Sequence, residues 1–122
     1  MLIEGLYTLQ QFDYTDNQVK ASILLHKESD VFKGHFPGNP VMPGVCMIQI
    51  IKELTEKALE KDVFLAKSSN IKFMSIINPE EHPLLDIVID ITATEDEVKI
   101  KSTSAFEETM ALKLNAFFKI LD

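Results

Sequence analysis

Residues 34–61 read GHFPGNPVMPGVCMIQIIKELTEKALEK, and the fold turns on how this stretch divides. Its first part is stiff and non-repetitive. Pro37, Pro40 and Pro43 fix their own φ angles and push the residue before each away from helical conformation. Gly34, Gly38 and Gly44 permit tight turns and close backbone approach. From about Val45 to Lys61 the pattern changes to a helix whose first three turns are apolar nearly all round, so it is expected to be buried by its surroundings. Glu53, Glu56, Lys57, Glu60 and Lys61 fill the last turns, and that end is expected to emerge into solvent. Pro43 before the helix and lysines near its end match normal helix polarity.

On either side of this helix the period is two. Val19, Ala21, Ile23 and Leu25 share one strand face after a turn signal at Asp16-Asn17. Leu85, Ile87, Ile89, Ile91 and Ala93 do the same, with Asp86 and Asp90 facing the other way. Val98, Ile100, Ser102, Ser104 and Phe106 form a more polar face, and Met110, Leu112, Leu114, Ala116, Phe118 and Ile120 give the longest alternation. Short acidic turns join these last three runs, which predicts an antiparallel meander. VFLAKSSNIKFMSII, residues 63–77, reads as a long strand broken around Ser68-Ser69, and Asn78 to Pro83 as a loop. The expected fold is α+β: a single domain over residues 1–122 in which five to six antiparallel strands wrap one long central helix. Such a sheet leaves an open edge that favours pairing with a second copy.

Composition removes several function classes. All twelve basic residues are lysine and the net charge is −7, so no basic face for nucleic acid is expected. No apolar run approaches the ~20 residues of a membrane span, and the N-terminal residues lack a signal-peptide pattern. One cysteine, Cys46, excludes an internal disulfide, and with three scattered histidines it gives no metal-ligand spacing. A cytoplasmic protein without metal or cofactor is expected.

The stiff run holds one histidine, His35, ahead of a helix start. Backbone N–H groups around Gly44 and Val45 lack partners within the helix and carry partial positive charge suited to a carbonyl oxygen. A base beside such donors is the minimal kit for removing a proton α to a thioester. GHFPGNPVMPGV, residues 34–45, resembles the signature of the 3-hydroxyacyl-acyl-carrier-protein dehydratases of bacterial fatty-acid synthesis, enzymes of the hotdog fold. Weaker resemblance continues through NIKFMSIINPEE, residues 70–81, and the final meander.

The resemblance implies roles for individual positions. His35 corresponds to the catalytic base, Gly44 to the glycine whose N–H holds the thioester carbonyl, and Val41 to the residue whose carbonyl orients the histidine ring. Phe36 and Val45 fall among the substrate-contacting positions, and Lys33, Lys67 and Lys72 near the carrier-binding ones. Members are homodimers with acyl tunnels at the subunit interface, fed by acyl carrier protein thioesters, with coenzyme A as the other candidate carrier. Fourteen residues after the histidine the family has a Glu or Asp that protonates the departing hydroxyl. Here that position is Gln49, whose amide supplies no proton readily. Four residues on, where the family has glutamine, stands Glu53. Two readings of Glu53 follow: it pairs with Lys57 in solvent, or it reaches back to Gln49 as a displaced acid. The chain is thus expected to be a dehydratase, or else a weakly active acyl-thioester-binding subunit that works with an active partner. A third class, a hotdog thioesterase, needs an activated water for which the motif offers no dedicated carboxylate.

Overall fold

The computed structural model describes residues 5–26, 28, 42 and 44–121. Strand β1 (Tyr7–Thr15) turns into β2 (Gln18–Leu25), and helix α1 spans Gly44–Leu59. Strands β3 (Asp62–Phe73), β4 (Leu84–Ala93), β5 (Glu97–Phe106) and β6 (Thr109–Leu121) follow. All six strands form one antiparallel sheet in the order β1-β2-β4-β5-β6-β3. The expected meander is its centre, and β1 and β3 are its two edges.

The turns are made by the residues that flag them. Asp16 and Asn17 both have positive φ (54° and 63°) and close a two-residue hairpin between Thr15 and Gln18. In the Asn78–Pro83 loop the Asn78 side chain accepts from the Glu80 N–H at 2.9 Å, and its carbonyl accepts from His82 at 2.8 Å.

One face of the sheet packs against α1. Val19, Ala21, Ile23 and Leu25 of β2 are buried with Leu85, Ile87, Ile89 and Ile91 of β4. Met47, Ile50, Ile51 and Leu54 of the helix close the same core. The serines of β5 are buried on this face as well: Ser102 donates to the Val88 carbonyl at 3.0 Å, and Ser104 is fully buried.

Departures from strict alternation come at bulges. Ala111 and Leu112 are buried in succession because the β5–β6 register shifts there, and this moves Met110 to an exposed position. The Ala111 carbonyl accepts from Met74 at 2.8 Å and Ser75 at 3.4 Å, pinning the chain as it leaves β3. Instead of breaking at Ser68-Ser69, β3 runs through two register shifts, between Leu65 and Lys67 and between Ser68 and Asn70. A third shift, between Leu9 and Gln11 in β1, leaves Gln10 and Gln11 both exposed.

Candidate functional site

The helix start is packed hard onto the edge strand. A Cβ on Gly44 would sit 3.1 Å from Phe73 Cε2 and 4.0 Å from the Ile71 methyl, so glycine is what allows this approach. Met42, just before, is anchored by its N–H to the Ile77 carbonyl at 2.8 Å. The helix start, whose first N–H groups have no partner within the helix, is therefore fixed against β3 and the segment after it. Val45 is 74% exposed and Ile48 only half-buried, so the first turns are not enclosed all round as the apolar pattern suggested. The face carrying Val45, together with Phe73, Met74 and Ile76, forms an exposed apolar region beside the helix start.

One turn further along, Gln49 and Glu53 are both half-buried. Gln49 Nε2 donates to Glu53 Oε2 at 2.9 Å, and the Tyr7 phenol of β1 donates to Glu53 Oε1 at 2.8 Å. The solvent pairing with Lys57 does not form: the Lys57 ammonium lies 5.3 Å from the centre of the Phe12 ring. Burial, followed by the adjoining Glu53 carboxylate as hydrogen-bond acceptor and charge, holds the Tyr7 phenol well above the usual tyrosine range. Tyr7 was invisible in the sequence reading because it lies 46 residues from its partner and carries no motif.

Of the residues implied by resemblance, Gly44, Val45, Gln49, Glu53, Lys67 and Lys72 fall in described elements; Lys33, His35, Phe36 and Val41 lie outside the described residues. Lys67 and Lys72 are exposed on β3, opposite Phe117 and Lys113 of β6. The pairing places Lys72 and Lys113 side by side, with Thr103 next across and Lys101 nearby on β5, opposite Asn115. Lysines that look scattered along the chain thus gather on the outer face of β3, β6 and β5.

Other candidates have local roles. The His26 ring takes the Thr8 hydroxyl at 2.6 Å and the Gly5 carbonyl at 3.0 Å, fastening the start of β1. His82 stacks on Phe106 with centroids 4.3 Å apart, at a 540 Å³ outer-face cavity that Ser22 and Asp86 also line. Cys46 is buried, and burial raises its thiol pKa, the behaviour of a packing residue.

The profile of the ApeI-like family, described as ApeI dehydratase, matches residues 10–112. The chain belongs to this family. Among curated proteins it is 42% identical over 88 residues to a 3-hydroxyacyl-acyl-carrier-protein dehydratase FabZ of Rickettsia akari, covering 66% of this chain and 60% of that protein. A FabZ of Lactobacillus helveticus is 30% identical over 101 residues, covering 76% and 67%. The chain thus spans roughly three-fifths to two-thirds of these relatives' length.

Among solved structures, the dehydratase heterocomplex ApeI:P from Xenorhabdus doucetiae superposes with a TM-score of 0.77 at 16% identity, covering 93% of this chain and 97% of that one. A hypothetical thioesterase with coenzyme A from Streptococcus pneumoniae gives 0.67 at 13% identity, covering 94% and 85%. These likenesses establish the hotdog fold expected from the sequence, one helix wrapped by an antiparallel sheet. As a member of the ApeI-like family, the chain is a relative of the fatty-acid-synthesis dehydratases. No helix among the described residues is long and apolar enough to cross a membrane.

Proposed function

We propose that this chain dehydrates 3-hydroxyacyl thioesters, carried by acyl carrier protein, to trans-2-enoyl thioesters in the cytoplasm. The observation that carries the reading is the Gly44 helix start pressed onto Phe73 and Ile71, within a chain whose family is that of dehydratases. A thioester carbonyl bound by the Gly44 N–H has its α-proton acidified, because the donor stabilises the negative charge that develops on oxygen. His35 takes that proton. The 3-hydroxyl then leaves as water on the side of Gln49 and Glu53, taking its proton from the protonated His35, so the imidazole is restored as the enoyl double bond forms.

Two features support a paired assembly. Strand β3 is a sheet edge, and Phe64, Leu65, Ile71 and Phe73 along it are between 37 and 44% exposed, with Ile76 beyond it at 68%. A second copy seated there would cover Val45 and this strand together. The lysines gathered around Lys72 give an acidic carrier a place to dock, with Lys33 and Lys67 as further contacts.

A second reading rests on Gln49 and on the way Glu53 is bound. Glu53 accepts hydrogen bonds on both oxygens, an arrangement suited to an ionised carboxylate rather than a proton donor. The ApeI:P structure that this chain superposes on is a dehydratase heterocomplex, which supports a chain that works with a second, active subunit. The test is turnover of 3-hydroxyacyl carrier-protein thioesters by the purified chain, followed by appearance of the conjugated enoyl product. The dehydratase reading expects product, abolished by His35→Ala. Intact thioester binding with no product from the chain alone would sink it in favour of the partnered reading.

A further inference from the structure

Tyr7 opens β1 at the sheet edge far from β3, yet its side chain ends on the polar stretch of α1. Its phenol is neutral and donates at 2.8 Å, so it holds Glu53 without cancelling the carboxylate charge. The second Glu53 oxygen takes Gln49 Nε2 at 2.9 Å. A carboxylate oxygen only accepts when ionised, so the amide must present its nitrogen to Glu53, and Oε1 necessarily lies on the opposite side of that amide. Two of the three members sit on adjacent turns of one helix. The third comes from a strand and anchors the pair to the sheet.

We propose that Tyr7 is a positioning residue for the hydroxyl side of the site, acting through Glu53 to fix which way the Gln49 amide faces. This rests on the reading above that Gln49 meets the substrate's 3-hydroxyl. Without the phenol, Glu53 keeps one donor and regains side-chain freedom, and the Gln49 amide loses the firm acceptor that its Nε2 is held by. Misplacement of a group on this scale costs rate rather than binding, since the acyl chain and carrier contacts are untouched.

The experiment uses the full chain with Tyr7→Phe, which keeps the ring and removes only the hydroxyl. Turnover of a 3-hydroxyacyl-pantetheine thioester is measured beside the side-chain amide NMR signals of Gln49. Expected are a kcat lower by about tenfold or more, KM within about twofold, and displaced Gln49 amide signals. Tyr14→Phe moves none of these. The double variant Tyr7→Phe with Glu53→Gln is expected to be no slower than Glu53→Gln alone, because both act on one element. Wild-type kcat in Tyr7→Phe, or losses that simply multiply in the double variant, would overturn the inference. If the unaltered chain makes no product, the dehydratase reading fails instead. The Gln49 signals then decide the matter: displaced in Tyr7→Phe, the positioning role stands; unmoved, it falls.

Discussion

Glu60 closes α1 in left-handed conformation, with φ at 55° and the next N–H, that of Lys61, on the Glu56 carbonyl at 3.4 Å. Glycine is the residue this position favours, since a Cβ there costs about 1 kcal/mol. Glu60→Gly is therefore expected to stabilise the chain by up to about 1 kcal/mol, raising Tm by roughly 3–5 °C in thermal melts. Gly44 is the opposite case. Alanine there must displace the Phe73 ring, so Gly44→Ala is expected to cost about 1–3 kcal/mol in urea unfolding. Adding Phe73→Leu should recover most of that loss. Single residues were unevenly legible in the sequence. The need for glycine at position 44 followed from a proline-glycine run before a helix. Whether Glu53 turned to Lys57 or to Gln49 did not, because both lie one turn away, and the phenol that weighs against Lys57 arrives from another element.

At the scale of elements, the sequence revealed what period and turn chemistry control. The three-strand meander, the Asp16-Asn17 hairpin and the single long helix each follow from local pattern. Bulges did not show, because an extra residue in a strand leaves no compositional mark beyond a shifted alternation. In β6 that shift exposes Met110; in β3 it turns an apparent break into one continuous strand. The strand so preserved presents Leu65 at the open edge. Leu65→Lys should leave the monomer folded and break pairing of copies, read as a fall to single-chain mass in analytical ultracentrifugation. Turnover should fall with it, since the site is expected to be completed by the partner.

For the whole molecule, two properties emerge only once the sheet is assembled. The outer face gathers Lys72, Lys101 and Lys113, with Asp90 of β4 directly opposite Lys101, and Asp90 also lines a neighbouring hollow with Asp13, Asp16 and Lys20. Sequence reading missed this because neighbours across strands are far apart in the chain. Lys101→Glu with Lys113→Glu is expected to weaken carrier-protein binding about tenfold or more and flatten its dependence on salt, with little effect on a pantetheine thioester that lacks the carrier. The second property is alkaline sensitivity. The folded chain retains the Tyr7 proton above the usual tyrosine range, so it binds more protons than the unfolded chain there. Stability therefore falls as pH rises through about 10 and beyond, by up to about 1.4 kcal/mol per pH unit for that one group. Urea titrations at rising pH should show this slope, and Tyr7→Phe should lessen it. The difference between the two edge strands has its own bearing on assembly. A sheet with two flat, apolar margins is a repeat unit for open-ended fibres. Both edges carry register shifts, but β1 is edged by exposed Thr8, Asp13 and Thr15, whereas β3 exposes Phe64, Leu65, Ile71 and Phe73 between its lysines. Of the two margins, β3 is the one suited to the paired assembly proposed above, and β1 offers a second copy no comparable apolar strip.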